Sequence, residues 1–529
     1  ELIRKYLLDN PHGSVLTLVP SRGLAARKAK ALEDKLADYL NGLSEEEKQQ
    51  MVQRTKDLEA YQEAEEDPEA AKCIPMLKRE DIRKEADKFY NEELDVDGSL
   101  FLYHDVPTNG IGYLDLMFDL KSLSPDKVPY LGLLKSVLGY VNTAHYTYGE
   151  LSNEINAETG GIVCGVEVFD RADSVDEYRA FFGVKGKVMY PKTDVMFCMI
   201  REILNTSDVT DTRRLHEIIS RVKSRAQSSL VSAGHSTAVL RAASYGSPMA
   251  AFQDTMAGIA YYQFIEKLDK EFEERKDEII ENLKSLMTEI LRPENLSVSY
   301  TGERESLETM QKQVRELKKT LHQEAVETSP APMICEKKNE GFMTSGQVQY
   351  AAQAGNFRKK GFAYTGVLNI LKVALSYDYL WINLRVKGGA YGCMSGFKRN
   401  GESFLVSYRD PHLKRTLEVY QGVPDYIRAF EADEREMTKY IIGTISNKDV
   451  PRTPQMQGSI SKTAYFSNVT EDMLQKERNQ ILGAQKEDIQ KLAALVEAVL
   501  SDDQICVVGS ETAIEKAEDV FMEVKPLIG

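Results

Sequence analysis

Twice along this chain a helical run closes on a pair of glycines and leads at once into two strand-like stretches. The first, TYGELSNEINAETGG, ends at Gly160–Gly161 and leads into GIVCGVEVF and EYRAFFGVKG. The second runs into WINLRVKGG, ends at Gly388–Gly389 and leads into AYGCMSGF and ESFLVSYRD. The flanking elements repeat as well. Ahead of the first pair, SLFLYHDVPTNGIGYLDLMFDL alternates with period two and puts Leu114, Leu116, Phe118 and Leu120 on one strand face. Ahead of the second lies strand-like SGQVQYAAQAGNF. After each pair, helical stretches lead to a late strand, LSVSYTG or ICVVGS, and a closing helix. Order and spacing, more than residue identity, predict a duplicated α+β domain.

Duplication also suits the length, because single hydrophobic cores rarely grow past about 250–300 residues and this chain has 529. The polar, proline-containing stretch HQEAVETSPAPMICEKKNE, residues 322–340, reads as the link between the two copies. The expected division is a connector over 1–85, one α+β unit over 86–325 and a second over 326–529. Within the connector, residues 21–65 predict a helical hairpin. Leu32, Leu36 and Leu40 recur at helical spacing, and Gly42 supplies a stop. Ser44 with Glu47 then forms a capping box for a second helix holding Met51, Val52 and Leu58. The acidic EAEEDPEAA reads as a solvated connector or as a hinge between larger bodies.

A formal net charge of −15 argues against nucleic acid as a partner, since phosphate binding needs a basic face. No run approaches the ~20 apolar residues needed to span a bilayer. Cys73, Cys164, Cys198, Cys335, Cys393 and Cys506 lie far apart with no CxxC, and read as buried thiols of a reducing, cytoplasmic setting. The opening ELIRKYLLDN has neither an initiator Met nor signal-peptide architecture, and reads as the start of a piece of something longer.

The repeat provides an internal comparison at the glycine joint. Registering the two pairs puts Ala157 in the place of Arg385 and Val163 in the place of Tyr391. The glycines have a structural reason, because a helix end commonly needs a left-handed residue. A fold shared by both copies does not demand the Arg or the Tyr. Two readings stand on residues alone. One is a helix-terminal cation followed by an ordinary strand tyrosine. The other is a working pair, a five-donor guanidinium and a phenol on one edge, suited to gripping peptide carbonyls and stabilising negative charge.

Other chemistry is missing. The histidines are His12, His104, His145, His216, His235, His322 and His412, and no two fall within four residues, so neither HExxH nor HxxEH occurs. His216 beside Glu217 lacks a second ligand one turn away. GHSTA at 234–238 lacks a nucleophile-elbow pattern, GVKGK at 183–187 is no Walker motif, and Cys393, close after Tyr391, lacks a sequence argument for a lowered pKa.

LRVKGGAYG resembles the Arg-x-x-x-Gly-x-Tyr signature in the C-terminal half of insulinase-family zinc peptidases, the inverzincins. LIRKYLLDNPHGSVLTLVPS, LADYLNGLSEEE and CIPMLKREDI are similar to the connector of the presequence-protease branch, and VPTNGIGYLDLMFD to the first strand of that branch's third domain. The likeness covers essentially the whole chain. It implies a fold of the LuxS/mitochondrial-processing-peptidase type, in which each domain is an antiparallel-rich mixed sheet packed with helices. Four such domains form two halves around a closed chamber, and the N-terminal half carries HxxEH and a distal Glu for zinc.

On that resemblance this chain is the connector plus the third and fourth domains. It is the non-zinc half of a metallo-endopeptidase for unfolded peptides and is inactive alone. Zinc belongs to the complete enzyme, and no metal is held by this chain. Its partners are peptides and the zinc-bearing half. Arg385 and Tyr391 would be catalytic and, with Gly389, would contact substrate. Tyr391 would donate to the developing oxyanion, while Arg385 would hold the substrate backbone or support the tyrosine. The alternative is a non-catalytic peptide-binding or scaffold subunit of the same fold.

Overall fold

The computed structural model describes residues 1–528 apart from 20, 22, 65–67, 72, 76, 325 and 327. The chain divides into two compact units, Glu1–Met76 and Leu77–Gly529.

In the first unit the helices Leu24–Gly42 and Glu45–Glu63 form the hairpin. The Ser44 hydroxyl accepts from the Glu47 N–H at 3.3 Å, and the Glu47 carboxylate accepts from the Ser44 N–H at 2.8 Å, so two orphan donors are satisfied reciprocally. The expected glycine stop is not used: Gly42 stays helical, and Leu43 turns to extended backbone with ψ of 139°. Leu32, Leu36 and Leu40 form a helical stripe, but each is about half exposed. The acidic Glu65–Asp67 of the expected connector lies outside the described residues.

The second unit holds two six-stranded sheets. The first contains β1 (Glu92–Val96), β2 (Ser99–Asp105), β3 (Ile111–Asp119), β4 (Ile162–Asp170), β5 (Tyr178–Met189) and β6 (Leu296–Gly302), in the order β1-β2-β6-β3-β5-β4. The second contains β7 (Glu340–Thr344), β8 (Tyr350–Asn356), β9 (Gly392–Phe397), β10 (Glu402–Tyr408), β11 (Gln504–Ser510) and β12 (Glu523–Pro526), in the order β12-β7-β11-β8-β10-β9. Five strands correspond one to one in order and direction. β2 runs parallel to β6 as β7 does to β11, and the remaining neighbours are antiparallel in both. The sixth strand breaks the repeat. β1 is an antiparallel hairpin partner of β2, whereas β12 adds parallel to β7.

Each sheet buries both faces. On one side of the first, Leu114, Leu116 and Phe118 are fully buried against its own helices. Its other side, with Leu102, Met117, Phe169 and Phe181, receives Phe466 from the helix Pro454–Phe466, which lies between β10 and β11 in the chain. Gly458 permits that approach, since a Cβ there would sit 1.8 Å from the Thr301 hydroxyl of β6. The arrangement is reciprocal. The helix Gly234–Ser244, between β5 and β6, covers the second sheet through Ala238 and Ala242 against Ala352, Ala354 and Val508. Each copy of the repeat thus roofs the other's sheet.

Each roof is pinned by a buried cation. Lys462 donates to Glu167 of β4 at 2.8 Å and to Asp115 of β3. Arg241 donates to Asp254 at 2.7 Å and to Glu340 of β7. Such charges are tolerated in the interior only when paired and hydrogen-bonded.

The cysteines depart from expectation. All six are free, but Cys506 is the buried one, while Cys73 and Cys198 are exposed, Cys198 on the outer side of the helix Thr193–Thr206. Apolar sequence neighbours do not bury a residue on a helix whose opposite face carries the core. Among the described residues no helix is long and apolar enough to cross a membrane.

Candidate functional site

The helical run before the second glycine pair is two pieces. The helix Val367–Tyr377 stops at Asp378 (φ −108°, ψ −92°), whose carboxylate accepts from the hydroxyls of Tyr426, at 3.3 Å, and Tyr440. The chain resumes as a wide π-helical turn, Trp381–Val386. Short π segments often mark functional sites. This one brings Trp381 and Arg385 to the same side, with the guanidinium 4.3 Å from the indole centroid.

Both glycines are needed for the turn that follows. A Cβ on Gly388 would lie 2.5 Å from the Leu384 carbonyl oxygen. Gly389 has φ of +75°, and its N–H donates to the Arg385 carbonyl at 2.9 Å. Its own donor is therefore spent inside the turn, while the residue itself is exposed. At the first joint Gly161 also has a positive φ, +112°, but its N–H donates to the Thr159 hydroxyl at 3.0 Å and not to a helix carbonyl.

The turn delivers Tyr391 to the head of β9, where its N–H is shared between the carbonyls of Tyr408, at 3.0 Å, and Arg409, at 3.3 Å. Arg385 folds back over it. The guanidinium carbon lies 5.3 Å from the phenol centroid, and Nη1 donates to the Tyr391 carbonyl. The ring meets Tyr408 edge-on at 5.7 Å, and Tyr408 meets His235 edge-on at 4.9 Å. Burial lowers the His235 pKa below the ordinary imidazole value, so this ring packs as a neutral body. Arg385, Tyr391 and Gly389 are thus one contiguous cluster, and the guanidinium is held between two aromatic faces.

The matched joint shows what the fold alone requires. Tyr391 and Val163 are each 63 % exposed. Neither position is demanded by a core, and a phenol stands outward in one copy where the other has an isopropyl group. A phenol beside a fixed cation, anchored through its backbone, can donate to an incoming carbonyl oxygen and favour charge there.

Four partners escape a reading of the signature alone. Trp381 was detectable, four residues before Arg385 on a helix. Tyr408 and Arg409 follow only from the β9–β10 register, in which Tyr408 pairs with Gly392. Nothing in the sequence connects His235 to this edge.

A metal finds no ligand set here. Among the described residues no three His, Cys, Asp or Glu side chains come together to hold an ion. The zinc implied by the resemblance does not fit this chain's own described donors. Cys393 is no nucleophile either, because burial pushes its thiol up to about 11.

The sequence matches two family models, that of the domain associated with subfamily C of the M16 peptidases over residues 18–268, and "PreP C-terminal domain" over residues 339–511. The chain belongs to this presequence-protease branch of the M16 peptidases, as their C-terminal half. The chain is 38 % identical over 528 residues to protein HypA of Clostridium perfringens, covering 100 % of the chain and 54 % of that protein. It is 28 % identical to presequence protease 1, chloroplastic/mitochondrial, of Arabidopsis thaliana, covering 99 % of the chain and 49 % of that protein. The chain spans about half the length of these curated M16 relatives. A solved peptidase M16 inactive domain from Pseudomonas fluorescens superposes with a TM-score of 0.54 at 13 % identity, over 79 % of this chain and 98 % of that one, which shows the fold alone.

Proposed function

We propose that this chain is the non-zinc half of a zinc metallo-endopeptidase that encloses and degrades unfolded peptides, and that it has no activity by itself. In this reading residues 1–85 connect the halves, and residues 86–325 and 326–529 are the third and fourth domains. The observation that carries it is the outward-facing Arg385–Tyr391 pair at a joint whose counterpart does without it. Tyr391 donates to the substrate carbonyl oxygen as charge develops there. Arg385 holds the phenol in place and adds positive charge beside it, and the turn at Gly389 presents its carbonyl to the substrate backbone. The metal and its ligands come from the other half.

Two experiments test the proposal. Mixing this chain with a separately produced N-terminal half should restore zinc-dependent cleavage of a disordered peptide that neither piece shows alone. In the complete enzyme, Tyr391→Phe should lower kcat by about 10²–10³-fold, the usual loss for one oxyanion donor, with an unchanged melting temperature. A wild-type rate in that variant would return Tyr391 to an ordinary strand residue. Binding of peptides without cleavage in the mixture would favour a scaffold subunit.

A further inference from the structure

At the ends of β4 and β9 farthest from the glycine joints lies a cavity of about 510 Å³, within the size range of small-molecule sites. Phe89, Phe397, Ile460 and Leu474 give it an apolar part. Another part of the lining is ionic. Glu477, only 4 % exposed, accepts from Arg399 Nη2 at 2.5 Å and also from Lys448 Nζ. Burial pushes the Glu477 carboxyl up, but the two cations outweigh it and hold its pKa below the ordinary value. The trio therefore carries one net positive charge. Among the described residues the other donors of Arg399 find no hydrogen-bond partner. Asp170, where β4 ends, lines the same cavity, and its carboxylate makes no hydrogen bond or ion pair among those residues. Among the described residues the buried hydroxyl of Ser467, also in the lining, has no partner.

A cationic corner, a free carboxylate and an apolar wall in one cavity match three features of a single class of ligand. We infer that this cavity binds a small zwitterion with an apolar side chain, either a free amino acid or a very short peptide. The ligand carboxylate pairs with Arg399 and Lys448, its ammonium with Asp170, and its side chain packs on Phe397, Ile460 and Leu474. Charge-assisted, fork-shaped recognition of carboxylate by a guanidinium is the strong element. Peptide hydrolysis is the class of reaction that supplies such molecules. The site lies at the opposite ends of the strands from Tyr391, and it is argued from residues that the reading of Tyr391 does not use.

Calorimetric titration of the 529-residue chain tests this with four probes: Leu-Phe, its C-terminal amide, its N-acetyl derivative and free phenylalanine. Leu-Phe is expected to bind, and loss of either charge to weaken it about tenfold or more. Asp170→Asn should erase the difference between Leu-Phe and its N-acetyl derivative while preserving that between acid and amide. Arg399→Gln should do the converse. Asp170 ends an edge strand and is partly exposed, so its variant keeps the test alive if Arg399→Gln fails to fold. Binding of phenylalanine as tightly as Leu-Phe would name the free amino acid as the source, and tighter Leu-Phe binding the peptide. No binding at millimolar concentration, or affinities that ignore both variants, would overturn the site.

Discussion

Arg241 and Glu340 meet fork to fork in the interior, Nε to Oε2 at 2.5 Å and Nη2 to Oε1 at 3.0 Å, joining a helix of one repeat to the sheet of the other. The carboxylate is wholly buried, also accepts from Tyr245, and lies 2.8 Å from Lys525. Burial pushes Glu340 up, but the hydrogen bonds and charge of Arg241, joined by Lys525, hold it down to about 2 against an ordinary 4.5.

Because its folded pKa is depressed, Glu340 contributes stability that is fully present above about pH 4.5 and is lost as pH falls toward 2. Urea midpoints measured from pH 7 down to pH 3 should decline across that window. Arg241→Met should cost about 3–5 kcal/mol at pH 7, because it strands buried carboxylates, and should flatten the decline. A variant as stable as the parent would mean that the fork carries no net stability.

The glycine pair should be intolerant for two different reasons. Gly389→Ala meets a left-handed backbone, a penalty of roughly 1–2 kcal/mol. Gly388→Ala places a Cβ against the Leu384 carbonyl, so the turn itself must shift. Thermal melts should rank Gly388→Ala below Gly389→Ala, and both below the parent. Gly165→Ala, in open space on β4, should leave the melt nearly unchanged.

Trp381 is the chain's single tryptophan, and it lies against the Arg385 guanidinium. Intrinsic fluorescence therefore reports on one edge of the molecule. Arg385→Leu should change the emission of the folded chain, and titration with a disordered peptide should change it saturably in the parent. A spectrum blind to both would place peptide binding elsewhere.

The repeat was legible because period-two alternation and paired glycines are local signals, and β3, β4, β5 and β10 fall close to where alternating runs such as IGYLDLMFD and the glycine joints place them. What escaped was short or marginal. β1 turns into β2 through Asp97–Gly98, a tight hairpin signal within a polar stretch. β7 has five residues at the end of the expected linker, and β12 is an edge strand that ends in Pro526. The Arg385–Tyr391 contact follows from spacing across a turn. The backing by Tyr408 and His235 does not, since it depends on which helix of one repeat lies over the sheet of the other. That exchange leaves only small residues such as Ala238 and Ala242 as a trace in the sequence.

The mutual roofing of the two sheets has a topological outcome. A protease nick in the stretch between the repeats would not free two separable modules, because each fragment would carry away the other's lid and leave it with a bare sheet. Cleaved chains should stay clasped on a sizing column and part only on denaturation, so the repeats must mature together as one cooperative body.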